Sequence, residues 1–215
     1  MVPASHQLRL SKDAWLNWYQ DRKVEASVTG FIRILKESGA ARVLDFGCGT
    51  GRNTVYLAKS GFEVHAFDWS EAAIEVTKKE LSQAGLSADV RVWDMTETPL
   101  PYPDSYFDAV LVMKVMHHTY FDKIRAIALE IGRFTRRGGF LCVEVPTYQK
   151  ALRLRSEGVP SEEPEPGTFV LAARDEAGIP HHYFKKEELI AMFPDFSPLG
   201  LEERFEHYCL TARRN

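Results

Sequence analysis

Residues 43–53 read Val-Leu-Asp-Phe-Gly-Cys-Gly-Thr-Gly-Arg-Asn, an apolar run that ends in an acidic residue and three alternate glycines. Val43, Leu44 and Phe46 suit a buried strand, while Gly47, Gly49 and Gly51 let the backbone turn tightly and approach a ligand where a side chain would intrude. The stretch predicts a strand, a glycine turn and a helix, with a nucleotide-type ligand at the turn. An ordinary tight strand-to-helix turn is the competing reading. A dinucleotide fingerprint, Gly-x-Gly-x-x-Gly, is not met, because Arg52 stands where the third glycine belongs.

Outward from this turn, helical and strand-like segments alternate, as parallel βαβ units require. Val24, Val28, Phe31, Ile32 and Leu35 share one helical face that ends near Gly39. After the turn, Thr54, Leu57 and Ala58 belong to a helix closed by Gly61, followed by a strand at about Phe62 to Phe67. Ser70 can cap the next helix, with Ile74, Thr77 and Leu81 at helical spacing and a stop near Gly85. Val90 and Val92 mark a third strand, three prolines (Pro99, Pro101, Pro103) demand a loop, and Phe107 to Met113 is an apolar fourth strand. Phe121, Ile124, Ala128 and Ile131 give a helix expected to end in Arg136-Arg137-Gly138-Gly139, before a fifth strand from Phe140 to Val145. The pattern then breaks. Residues 146–182 read as an inserted flap with little periodicity, followed by a short helix from Lys185 to Phe193 and two strands, Leu201 to Phe205 and His207 to Ala212.

Leu44-Asp45-Phe46-Gly47-Cys48-Gly49-Thr50-Gly51 resembles the first motif of the class I S-adenosylmethionine-dependent methyltransferases, and the resemblance spans residues 40–145, with a looser echo from His181 onward. It implies an α/β, Rossmann-like, doubly wound and mostly parallel sheet of about seven strands with an antiparallel C-terminal strand pair. It further implies a single methyltransferase domain over 1–215, with an N-terminal helical lid at about 4–38, the flap at about 146–182, and S-adenosyl-L-methionine as cofactor. Trp15, Trp18 and Tyr19 are lid candidates, or simply an apolar helix face packed on the body.

Candidate cofactor residues follow the strand ends. Asp45 and the three glycines Gly47, Gly49 and Gly51 form the turn. Asp68, about 20 residues beyond, stands where a doubly wound sheet places the ribose-binding acid; a helix-capping aspartate is its plainer role. By the resemblance Trp69 covers the adenine, Asp94 and Met95 hold its edge, and the Lys114 backbone borders the methionine moiety. The plainer readings are a surface aromatic and a solvated loop aspartate. His117 and His118 follow the fourth strand at the edge where ligands bind, so they are the catalytic candidates for taking an acceptor proton. Pro180-His181-His182-Tyr183 offers a second pair without an assigned role. No metal is expected, because adjacent histidines lack the i, i+4 arrangement of a helical zinc motif and no cysteine cluster accompanies them. Arg153 and Arg155 are expected to pair with the flap's own glutamates.

Composition narrows the partners. A chain of 215 residues, 45% hydrophobic and 27% charged, fits one globular domain, and a net charge of −3 gives no basic footprint for nucleic acid. There is no Asn/Asp-Pro-Pro-Tyr string and no Pro-Cys nucleophile, so base methylation is set aside in favour of a small-molecule acceptor. Cys48, Cys142 and Cys209 are too scattered for a disulfide framework. No secretory signal or membrane-length apolar run is visible, which makes a cytoplasmic protein the expectation. The sequence leaves the oligomeric state open. A nucleotide-cofactor oxidoreductase and a non-catalytic S-adenosylmethionine-binding domain remain alternatives.

Overall fold

Helix α1 (Ala26–Ser38) buries Val28, Phe31, Ile32 and Leu35 as one stripe and closes at Gly39, as its periodicity requires. The computed structural model describes residues 24–172 and 176–215, so the aromatic trio Trp15, Trp18 and Tyr19 lies outside the described residues. Strand β1 (Arg42–Phe46), α2 (Arg52–Lys59), β2 (Glu63–Asp68), α3 (Glu71–Gln83) and β3 (Asp89–Val92) follow in the expected order. Ser70 caps α3 by accepting the Ala73 N–H. Then come β4 (Phe107–Met113), α4 (Phe121–Phe134) and β5 (Thr135–Pro146), and the chain ends with α6 (Lys186–Ala191), β9 (Phe196–Arg204) and β10 (His207–Arg214).

The main sheet has seven strands in the order β3-β2-β1-β4-β5-β10-β9. The first five are parallel, and β10 and β9 add antiparallel at the far edge. Alternate residues feed two cores. Leu44, Phe46, Val110 and Val112 face α4 and α6, whereas Val43, Ala109 and Leu111 face α1 and α2. Burial on both faces explains why β1 and β4 read as nearly unbroken apolar runs. Among the described residues, no helix is long and apolar enough to cross a membrane.

Two segments differ from the sequence expectation. Helix α4 stops at Phe134 rather than running to Gly139, because residues 135–139 already belong to β5. Thr135 Oγ1 bonds back to the Ile131 carbonyl. Asp108 draws Arg136 into an ion pair while accepting the Ala41 and Arg42 N–H groups, and the β4–β5 register slips at this point. The flap, expected to be irregular, holds helix α5 (Tyr148–Ser156) and a three-stranded antiparallel sheet of β6 (Ser161–Glu165), β7 (Thr168–Leu171) and β8 (Pro180–His182). These strands are too short to show a period, and Pro164 is tolerated because β6 is an edge.

Candidate functional site

The strand order reverses between β1 and β4, and in open α/β sheets the crevice beyond the carboxyl ends at such a point receives ligands. The candidate residues cluster there. The glycine turn follows β1, Asp68 ends β2, Asp94 follows β3, and Lys114 through His118 follow β4.

The turn is held by its own hydrogen bonds. The Cys48 N–H donates to the Phe67 carbonyl at 2.9 Å, the Gly51 N–H to the Cys48 carbonyl at 3.0 Å, and the Thr77 hydroxyl to the Gly49 carbonyl at 3.0 Å. A Cβ on Gly47, at φ 69°, would lie 2.4 Å from Val115 Cγ2, and one on Gly51, at φ 82°, would lie 2.5 Å from Thr77 Cγ2. Both glycines are thus required by packing inside the protein, a reason the sequence reading, which invoked a ligand, did not supply. In the first turn of α2, Asn53 Oδ1 is buried without a hydrogen-bond partner.

Asp68 is 5% exposed and ties the turn to the next helix: Oδ2 accepts the Gly49 N–H and Oδ1 the Ser70 N–H, both at 2.9 Å. Burial raises its carboxyl above the ordinary range despite these donors. Trp69 beside it is exposed. Asp94 uses Oδ1 to accept from the Thr96 N–H and hydroxyl, each at 2.8 Å, and Met95 packs against the core.

Asp45 lies beneath the turn, fully buried, accepting the Thr54 hydroxyl at 2.6 Å. Burial pushes its carboxyl up to about 6, against the opposing hydrogen bond from Thr54. Between about pH 4 and that value the native state keeps a proton that the unfolded chain has released, so stability falls as pH rises. We expect this group to remove roughly 3 kcal/mol of unfolding free energy across that window, and Asp45→Asn to lack that part of the slope. Urea titrations of both proteins at about pH 4.5 and about pH 7 check this; equal slopes would contradict it.

Lys114 sits at φ 55° and donates its N–H to the Glu144 carbonyl at 2.9 Å. Its ammonium pairs with Glu25 at 2.7 Å and Glu144 at 3.1 Å, and Arg52 approaches Glu25 at 3.6 Å. Burial pushes Glu144 up to about 7, with Lys114 pulling the other way. Sequence reasoning missed Glu25 and Glu144. The available signal was a carboxylate inside the apolar run Leu141-Cys142-Val143-Glu144-Val145.

After β4, His117 and His118 stack with ring centroids 4.0 Å apart. Strand β8 brings His181 to 4.7 Å from His118 and 5.8 Å from His117, and the His182 N–H bonds to the His117 carbonyl at 2.9 Å. The His182 ring turns away, toward Thr168 and Glu188. Glu176 lies 2.9 Å from His181 Nε2 and 3.6 Å from His118 Nε2. Burial holds His117 and His118 below the usual imidazole range. Burial alone would raise Glu176, but His118 and His181 outweigh it and hold the carboxyl far below its ordinary value. The expectation of no metal considered only local spacing along the chain, whereas His181 reaches His117 and His118 through strand β8. Arg153 pairs with Glu157 and also with Glu206 in the β9–β10 turn, and Arg155 with Glu163.

A family model described as a methyltransferase domain matches residues 43–139. The ubiquinone biosynthesis O-methyltransferase of Methylocella silvestris is 35% identical over 100 residues, which are 46% of this chain and 38% of that protein. The demethylmenaquinone methyltransferase of Tropheryma whipplei is 27% identical over 111 residues, 52% of this chain and 44% of that one. The chain thus spans less than half the length of these two relatives. Among solved structures, the Burkholderia thailandensis 1,6-didemethyltoxoflavin-N1-methyltransferase, with 1,6-didemethyltoxoflavin and S-adenosylhomocysteine bound, superimposes with a TM-score of 0.68 at 19% identity, covering 94% of this chain and 84% of that one. At that identity the likeness speaks to the fold.

Proposed function

The chain belongs to the class I S-adenosylmethionine-dependent methyltransferase family, and on that premise we propose that it moves a methyl group from S-adenosylmethionine to a small-molecule acceptor. The observation that carries the reading is the Asp68 carboxylate, buried at the end of β2 and bonded to the glycine turn through Gly49. Its oxygens accept the Gly49 and Ser70 N–H groups, and a carboxylate's further lone pairs are there to meet ribose hydroxyls.

The remaining roles follow from that anchor. Trp69 covers the adenine, and Asp94 and Met95 meet its edge. The turn from Gly47 to Gly51 and the Lys114 backbone cradle the methionine portion, Asp45 supports the turn through Thr54, and the orphan oxygen of Asn53 suits an ammonium donor. The cofactor supplies a methyl on a sulfonium centre, so the protein's task is to align the acceptor in line with it and keep water out. His117 and His118 stand at the acceptor side, α5 and the β6–β8 sheet form the roof, and Glu25, just before α1, reaches Lys114 at the crevice. A cytoplasmic setting goes with three free cysteines, and the charge balance supports a small acceptor over nucleic acid.

Calorimetry with S-adenosylmethionine, S-adenosylhomocysteine and NAD is the direct test. Both sulfur compounds are expected to saturate one site and NAD to show no binding. Binding of NAD alone would turn the reading toward an oxidoreductase. Incubation with cell extract and S-adenosylmethionine, followed by mass spectrometry for species that gain one methyl, identifies the acceptor; cofactor binding with no methylated product would favour a non-catalytic binding domain.

A further inference from the structure

His117, His118 and His181 bring one ligand-capable nitrogen each to within 4.8 Å of the others, and among the described residues no other group of three or more His, Cys, Asp or Glu side chains converges in this way. The hydrogen bonding of His117 and His181 is incomplete. His181 Nδ1 lies 2.9 Å from the Ile179 carbonyl, which can only accept, so Nδ1 carries the ring proton. Nε2 lies 2.9 Å from Glu176 Oε2. That approach lacks the direction of a hydrogen bond, and Nε2 is left buried without a partner. His117 Nδ1 is likewise buried and unpartnered. His118 Nε2 faces the other Glu176 oxygen at 3.6 Å. Ring nitrogens buried without a hydrogen-bond partner beside a carboxylate are groups that a positive centre would satisfy.

We propose that His117, His118 and His181, with Glu176 beside them, bind a borderline divalent transition metal of the zinc type. Imidazole nitrogens select such ions over calcium and magnesium, which require oxygen ligands. Glu176 supplies the counter-charge. Lys150 acts on the His117 and His118 rings with the opposite sign, so affinity here comes from nitrogen coordination more than from net charge. The cluster follows β4 at the acceptor side of the crevice. A bound ion with an open position would take an acceptor hydroxyl or thiol and lower its pKa, so that its proton leaves to solvent. The resulting anion's lone pair forms the bond to the methyl carbon as the sulfur–carbon bond breaks, and that bonding pair stays on sulfur as a neutral thioether. This last role rests on the methyltransferase reading, whereas the metal site itself does not.

The full chain, stripped with a chelator and free of cofactor, is titrated with Zn²⁺ by calorimetry and with Co²⁺ by visible absorption. One equivalent of each is expected, with ligand-field bands for Co²⁺. His117→Gln and His181→Gln, checked for folding by circular dichroism, should each weaken binding by roughly tenfold or more. Glu176→Gln, which keeps the three rings, should weaken it less. His65→Gln, in a separate ion-paired group with Glu63 and Asp89, should leave it unchanged. Absence of saturable binding to the wild-type chain, or equal affinity in the wild type and both histidine variants, would overturn the site. S-adenosylhomocysteine calorimetry without metal is a separate readout, so failure of the metal site and failure of the cofactor reading are told apart.

Discussion

Gly47→Ala lowers the unfolding free energy by about 2–5 kcal/mol and removes measurable S-adenosylhomocysteine binding. Two effects combine. The left-handed backbone at φ 69° disfavours any Cβ, and the new methyl would lie 2.4 Å from Val115 Cγ2 and 2.9 Å from Val115 Cβ. Val115 is β-branched and stiff about χ1, so the clash is relieved only by shifting the backbone of the turn or of the segment after β4. Both line the crevice proposed for the cofactor. Gly85→Ala isolates the conformational part, since Gly85 has φ 65° and nothing within 4 Å of its built Cβ. It should lose only about 1–2 kcal/mol and keep its cofactor affinity. Urea unfolding and calorimetry on the two variants decide the matter, and equal losses at both positions would refute the packing argument.

Asp68→Ala is expected to weaken S-adenosylhomocysteine binding by at least about tenfold, from ribose hydrogen bonds of roughly 1.5–3 kcal/mol to a charged acceptor. The same change strips the Gly49 and Ser70 N–H groups of their acceptor, so stability falls by about 1–3 kcal/mol as well. Asp68→Asn keeps one carbonyl oxygen and should fall between. Because burial holds the Asp68 carboxyl above the ordinary range, cofactor affinity should also begin to decline at a higher pH than a solvent-exposed aspartate would give. A folded Asp68→Ala variant with unchanged affinity would remove the ribose assignment.

The parallel half of the sheet was legible because its signals are local. Apolar runs ending in glycine or aspartate, and helical stripes such as Val28, Phe31, Ile32 and Leu35, carry period and punctuation in a few adjacent residues. What was not legible depends on residues far apart in sequence. The end of α4 is set by Asp108 meeting Arg136 across the sheet, against the local pattern of cations and glycines that read as a helix terminus. The flap's strands are four or five residues long or fewer, below the length at which alternation shows. Of the two histidine pairs, nothing in their spacing indicates that His181 joins His117 and His118 while His182 turns toward Glu188. Glu25 belongs to the same class, and Glu144, though marked by its apolar run, shows its partner only when Lys114 arrives between the two.

The flap's attachment has a consequence of its own. The Phe184 N–H bonds to the Pro146 carbonyl at 2.9 Å, the Tyr148 N–H to the Phe184 carbonyl at 2.8 Å, and Thr147 bridges Phe184. Residues 148–183 therefore leave and rejoin the body at one doorway. Its two posts stay a hydrogen bond apart, so an insertion at the exposed turn around Gly158, clear of the Arg153–Glu206 pair and of the His182–His117 hydrogen bond that tie the segment to the body, adds only the slowly growing closure term of a longer loop. The register of β5 against β10 is set elsewhere and does not feel it. At that turn the segment can change length while the strand ends proposed to serve the cofactor stay fixed.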